Sequence, residues 1–142
     1  MLEKIKNKCI KNIFFSYVDE TSYGLRILFE FHTHDYLLFN SSIFLLTKEI
    51  KESKSYEWKL IDYNKDVFIS DIKEDNNVNF FVKFSNGDIF YIYQRIDGLE
   101  NWEQDFQIVF NNNESRYNKI LDHMNEDWIE ESIIEEKTVV LM

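Results

Sequence analysis

Proline and alanine are missing from this sequence, and glycine occurs only at Gly24, Gly87 and Gly98. So few glycines exclude a phosphate-cradling nucleotide loop, which needs several positions without a Cβ beside the phosphates. Alanine and proline have GC-rich codons. Their absence, with abundant Asn, Lys, Ile and Phe, reads as genome bias in an AT-rich bacterium, phage or plasmid. The single cysteine, Cys9, cannot close an internal disulfide, which fits a reducing, cytoplasmic setting. It stands among lysines with no histidine nearby in sequence, so it reads as a small structural side chain rather than a nucleophile. No apolar run reaches the ~18 residues of a membrane-spanning helix. The opening MLEKIKNKCIKNIFF, with scattered lysines and no small-residue cleavage site, is not expected to be a secretory signal.

Basic residues are scarce in the last third. From Asp97 to Glu136 there are 12 acidic residues against Arg116 and Lys119, a net of −10, whereas the rest of the chain carries 14 of each sign. Lys4, Lys6, Lys8 and Lys11 cluster at the opposite end. Such a surface does not bind nucleic acid by phosphate neutralisation. It does attract a basic protein, with steering that salt weakens. The plainer reading is a solvated helix face; confinement of the whole surplus to one region favours a binding face.

What is plentiful is burying surface. Aromatics make up 17% of the 142 residues, which is too much for a disordered chain and suits one domain over 1–142. The centre of the pattern is VNFFVKFSNGDIFYIY, Val78 to Tyr93. Asn-Gly between two alternating apolar runs predicts a hairpin, with Asn86 and Gly87 both at positive φ in a type I′ turn.

Further strands are expected at 10–18, 25–31, 36–40, 56–62, 66–72 and 102–110. His32 to Asp35 forms a turn, and Lys48 to Ser55 a solvated charged link. Leu2, Ile5 and Cys9 have the spacing of a short helix. At a constant offset of 53, Phe31 meets Phe84 and Asp35 meets Asp88, and Trp58 and Trp102 each stand beside acids. We read two three-stranded meanders, over 10–62 and 66–110, as an internal repeat. After Asn111 the period changes. Tyr117, Ile120, Leu121 and Met124 form the stripe of a helix capped by Asn113, and Trp128, Ile129, Ile133 and Ile134 extend a helical part over 113–136. The expected fold is α+β: a meandering antiparallel sheet with one or two acidic C-terminal helices packed on it, and Thr138 to Leu141 as a closing strand.

The sequence offers little chemistry. His32 and His34 with Asp35 are the only ligand-like cluster, and the second meander has Ser85-Asn86-Gly87-Asp88 in their place, so a turn is favoured over a metal site. A small metal-dependent hydrolase using the His32/His34 turn is the alternative of another class. His123 reads as a surface or half-buried residue of the helix. Glu100 and Glu103 flank Trp102, yet nothing pairs any two of 26 acids as catalytic carboxylates. No nucleophile elbow and no Cys-His spacing occur. We expect no catalytic residues, no metal and no cofactor.

In size, AT-rich composition, the Phe-Ser-Asn-Gly-Asp turn, Glu100-x-Trp102 and the acidic last third, the chain resembles small acidic immunity proteins of bacterial toxin systems, including contact-dependent inhibition. The resemblance implies a non-enzymatic protein that binds and neutralises a cognate toxin, often a nuclease with a basic surface. On the charge pattern, Asp122, Glu126, Asp127, Glu130 and Glu131, with Trp128 as an aromatic anchor, are the candidate partner-binding residues. A phage inhibitor of a host nuclease, mimicking nucleic acid, is the alternative in the same class. No direct nucleic-acid or membrane contact is expected; the oligomeric state is open, with a monomer favoured.

Overall fold

The computed structural model describes residues 2–17, 24–52, 57–75, 77–97, 101–112, 114–126, 129–130, 133–134 and 139–141. A single 3-10 turn, Leu2–Lys4, replaces the expected short helix and delivers Ile5 to the core. Strands β1 (Ile10–Tyr17), β2 (Leu25–Phe31), β3 (Tyr36–Asn40) and β4 (Ile43–Thr47) follow as an antiparallel meander. Next come the short β5 (Ile50–Glu52) and β6 (Lys59–Leu60). A second meander comprises β7 (Ile69–Glu74), β8 (Phe80–Phe84), β9 (Ile89–Asp97) and β10 (Asn101–Val109). The helix α1 (Ser115–Met124) and the short β11 (Ile129–Glu130), β12 (Ile133–Ile134) and β13 (Val139–Leu141) end the chain.

Two sheets result, ordered β12-β4-β3-β2-β1-β6 and β10-β9-β8-β7-β11, with β13 pairing β5 separately. They pack face to face because alternate residues of both meanders are apolar. Phe15 of β1 meets Phe106 of β10 at 4.9 Å, Phe29 of β2 meets Phe90 of β9 at 5.5 Å, and Phe39 of β3 meets Phe80 of β8 at 4.8 Å. Seven phenylalanines, among them Phe31 and Phe84, are fully buried. Burying one such ring stabilises by about 1.5–3 kcal/mol, so this aromatic layer holds the fold.

The outer faces are closed differently. Leu28, Leu38 and Leu45 of the first sheet lie under Ile50 and Trp58. On the second sheet, Phe81, Ile89 and Val109 lie under Tyr117, Ile120, Leu121 and Met124 of α1, the predicted stripe. The architecture is therefore α+β, with one C-terminal helix among the described residues packed on mostly antiparallel sheets.

Three local expectations are corrected. Asn86 is not at positive φ; Gly87 alone is, at 94°. The Gly87 N–H donates to Phe84 O and the Phe84 N–H to Asp88 O, which makes a three-residue loop ending in a left-handed glycine rather than a type I′ turn. Ile129 and Ile133 belong to strands, because β7 and β4 present free edges that the descending chain pairs, β11 antiparallel and β12 parallel. Within the charged link, β5 pairs in parallel with β13. Asn113 lies outside the described residues. The helix N-cap is Glu114, without a side-chain cap, and its N–H donates to Asn112 Oδ1.

Candidate functional site

The buried acids serve the fold. Asp88, at the end of the β8–β9 turn, accepts from the Tyr63 hydroxyl at 2.7 Å, the Lys65 ammonium at 3.1 Å, the Asn86 amide at 3.0 Å and the Asn111 N–H at 2.8 Å. Burial alone would raise its pKa. The Asn111 N–H, the Tyr63 hydroxyl and Lys65 outweigh burial and hold the carboxyl below its ordinary value. Burial and the same carboxylate push the Tyr63 phenol far up. Asp35, at the matching position of the β2–β3 turn, pairs with Lys8 and accepts from the Thr33 hydroxyl. There too burial raises the pKa and the Lys8 and Thr33 bonds bring it down below the usual carboxylate range. His32 and His34 are exposed on that turn. Among the described residues no group of three His, Cys, Asp or Glu is placed to hold a metal ion.

A third buried acid, Asp75, organises the β7–β8 connection. It accepts from the N–H groups of Asn77 and Asn79, each at 2.8 Å, and from the Asn79 amide at 2.9 Å. His123 of α1 places Nε2 3.1 Å from Asp75 Oδ2 and Nδ1 3.4 Å from Glu126 Oε2, so it ties the helix C-terminus to this connection. Burial first, and Asp75 second, raise the Glu74 carboxyl; burial and Asp75 likewise raise the Tyr91 phenol.

The predicted binding residues do not share one helix. Asp122 is exposed on α1, and Glu126 is exposed just past its C-cap Asn125. Glu130 lies in β11, its backbone opposite Lys73. Asp127, Trp128 and Glu131 lie outside the described residues. The exposed side of α1 carries Arg116 and Lys119 beside Asp122, so the helix itself is of mixed charge. The sequence reading weighed Glu103 only as a catalytic carboxylate and did not name Asp105; the two stand on the outer face of the second sheet along β10, half-exposed. The period-2 spacing of Glu103, Asp105 and Gln107 was the available signal.

A shallow, open cleft of about 240 Å³ lies where β10 passes into α1, lined by Ile108, Val109, Phe110, Asn112, Glu114 and Arg116. Phe110, 45% exposed, forms its rim, with Lys65 4.8 Å above the ring and Tyr63 stacked at 6.3 Å. Arg116 there donates to Gln107. No protein-family model, no curated protein and no solved structure matches this chain.

Proposed function

We propose that the protein is a non-enzymatic inhibitor that binds a cognate bacterial toxin, with a nuclease the best fit, through an acidic surface, and acts in the cytoplasm. The observation that carries this reading is how the acids divide. Asp35, Asp75 and Asp88 are buried, whereas Glu114, Asp122 and Glu126 are exposed on or beside α1 and Glu103 and Asp105 are half-exposed on β10. The surplus of negative charge in the last third therefore stands partly on a rigid surface, where it complements the basic cleft a nuclease needs for its own substrate. A sandwich with a deep aromatic core presents that surface without rearrangement, which favours fast, steered docking.

The test is affinity capture of the tagged protein from lysate of its native cell, washed at low and at high salt. Expected is one basic protein retained in equal amount, released by salt, whose toxicity in a growth assay is cancelled by co-expression of this chain. Retention of nothing basic, or a captured protein whose toxicity is unaffected, contradicts the reading.

A further inference from the structure

The two sides of the sandwich end differently. The contacts Phe15–Phe106, Phe29–Phe90 and Phe39–Phe80 set β1 over β10, β2 over β9 and β3 over β8, so β4 and β7 come together on one side. On the other side stand β6, two residues long, and β10, whose Glu103, Gln104, Asp105 and Gln107 make an edge ill suited to pairing with a further chain. β4 has neither protection. Ser42 to Thr47 reads SIFLLT, an apolar run without charge, proline or glycine, which is the composition of a segment that stacks on its own copy. It is apolar on both faces, with Phe44 and Leu46 in the core between the sheets and Leu45 in the outer cluster.

The chain lays its own C-terminal segment on this side. β12 runs parallel to β4, with Ile133 opposite Phe44 and Ile134 opposite Leu45. β11 runs antiparallel to β7, with Glu130 opposite Lys73. Packed sheets stand about 10 Å apart, and three residues reach about 10–11 Å, just enough for Glu130 and Ile133 to lie on different sheets. β13 then pairs with β5. β11 and β12 are two residues long and β13 three. Ladders so short carry few hydrogen bonds; what they supply is occupancy of the edges.

We propose that the C-terminal segment is an edge cover held within the chain: β12 occupies the place where β4 of a second copy would otherwise pair. Register and chemistry select that occupant. An antiparallel pair across a two-fold at Leu45 sets Leu45 against Leu45 and Phe44 against Leu46. Core-face residues then meet core-face residues, outer-face residues meet outer-face ones, and no like charges oppose. A charged strand finds no counterpart there, since Ile43 to Thr47 carries no charge. The cover is independent of the toxin-inhibitor reading: it keeps the chain from pairing with itself whatever its partner is.

The test is light scattering of the full chain over a range of concentrations, for wild type and for Ile133→Pro with Ile134→Pro, since proline cannot donate to the ladder. Expected is a monomeric wild type and a variant whose self-association is tighter by about tenfold or more, reversed by an excess of a synthetic peptide of residues 129–141. Amide exchange should show β4 protected in the associated variant and β10 unchanged. Glu130→Lys sets a like charge opposite Lys73 and should act in the same direction by a smaller factor; it decides the matter if the proline variant does not fold. Folded variants that stay monomeric overturn the proposal. So does association that the peptide does not reverse, association that protects β10 instead of β4, or a wild type that already pairs through β4.

Discussion

The turns Phe31–Asp35 and Phe84–Asp88 have one geometry built from two chemistries. In each, the N–H three residues on donates to the first phenylalanine carbonyl, whose own N–H donates to the aspartate carbonyl. In each, the phenylalanine is fully buried and the aspartate is buried beside a lysine, Lys8 or Lys65. The preceding strands match as well: β1 and β7 both shift register after their first residue, at Ile10 and at Ile69, and share the same sequence of buried and exposed positions. The left-handed position is Gly87 in one turn and His34, at φ 65°, in the other. What differs is what each turn supports. Asp88 gathers Tyr63, Asn86 and the Asn111 backbone, and Tyr117 of α1 donates to Gly87 O at 2.7 Å. Asp35 gathers Lys8 and Thr33, with His32 and His34 in solvent. The second turn is the seat of the helix; the first holds the segment before β1, through Lys8 on Asp35 and the His32 N–H on Cys9 O.

The comparison makes three predictions. The largest effect is expected from Asp88→Ala, which leaves a buried tyrosine hydroxyl, a lysine and a backbone N–H without their acceptor. It should cost about 3 kcal/mol, against about 1–2 for Asp35→Ala, whose carboxylate serves only Lys8 and the exposed Thr33 hydroxyl and no buried tyrosine. Urea unfolding of the two variants checks the order, and equal losses would remove the distinction.

Next in size is the left-handed position. Gly87→Ala meets both an unfavourable φ and the Asn111 side chain, and should cost about 1–2 kcal/mol. His34→Gly relieves the same conformation and should stabilise by up to about 1 kcal/mol, read as a rise in Tm.

The smallest effect is on pH. Asp35 and Asp88 have folded pKa values below their unfolded ones, so their contribution is present above about pH 4 and is lost as pH falls through the folded values. Glu74, raised by burial, works in the opposite sense and gains as pH falls. Asp88→Asn should flatten the acid limb of the stability curve more than Asp35→Asn, measured by urea midpoints at several pH values.

These particulars also mark what the sequence discloses. The strands β2 and β3 and the turn between them were legible to the residue, because short apolar runs rich in β-branched and aromatic residues, buried on both faces, are bounded by Gly24 and by His32-Thr33-His34-Asp35. The helix stripe Tyr117, Ile120, Leu121, Met124 was legible from its i, i+3, i+4, i+7 spacing. The loop at Asn86-Gly87 was read one residue too short, since the pull on Asp88 comes from Tyr63 and Asn111, far away in sequence. Ile129 and Ile133 have spacing compatible with a helix, and only the waiting edges of β7 and β4 decide for strands. β5 lies in a charged segment and takes its partner from the other end of the chain, so no local pattern announces it. For the site, charge indicated a region but not a surface. The acids of the last third are dealt out to β10, α1 and β11, and among the described residues of the predicted set Asp122 and Glu126 stand on and just past α1.

The central claim is that this exposed negative charge does the docking. It is tested most directly by stopped-flow association of the captured basic partner with wild type and with Asp122→Lys plus Glu126→Lys, at low and high salt. The account predicts that the variant associates about tenfold more slowly at low salt, that the difference shrinks at high salt, and that wild type loses its steep salt dependence in the variant. Equal rates for both proteins at low salt would contradict it.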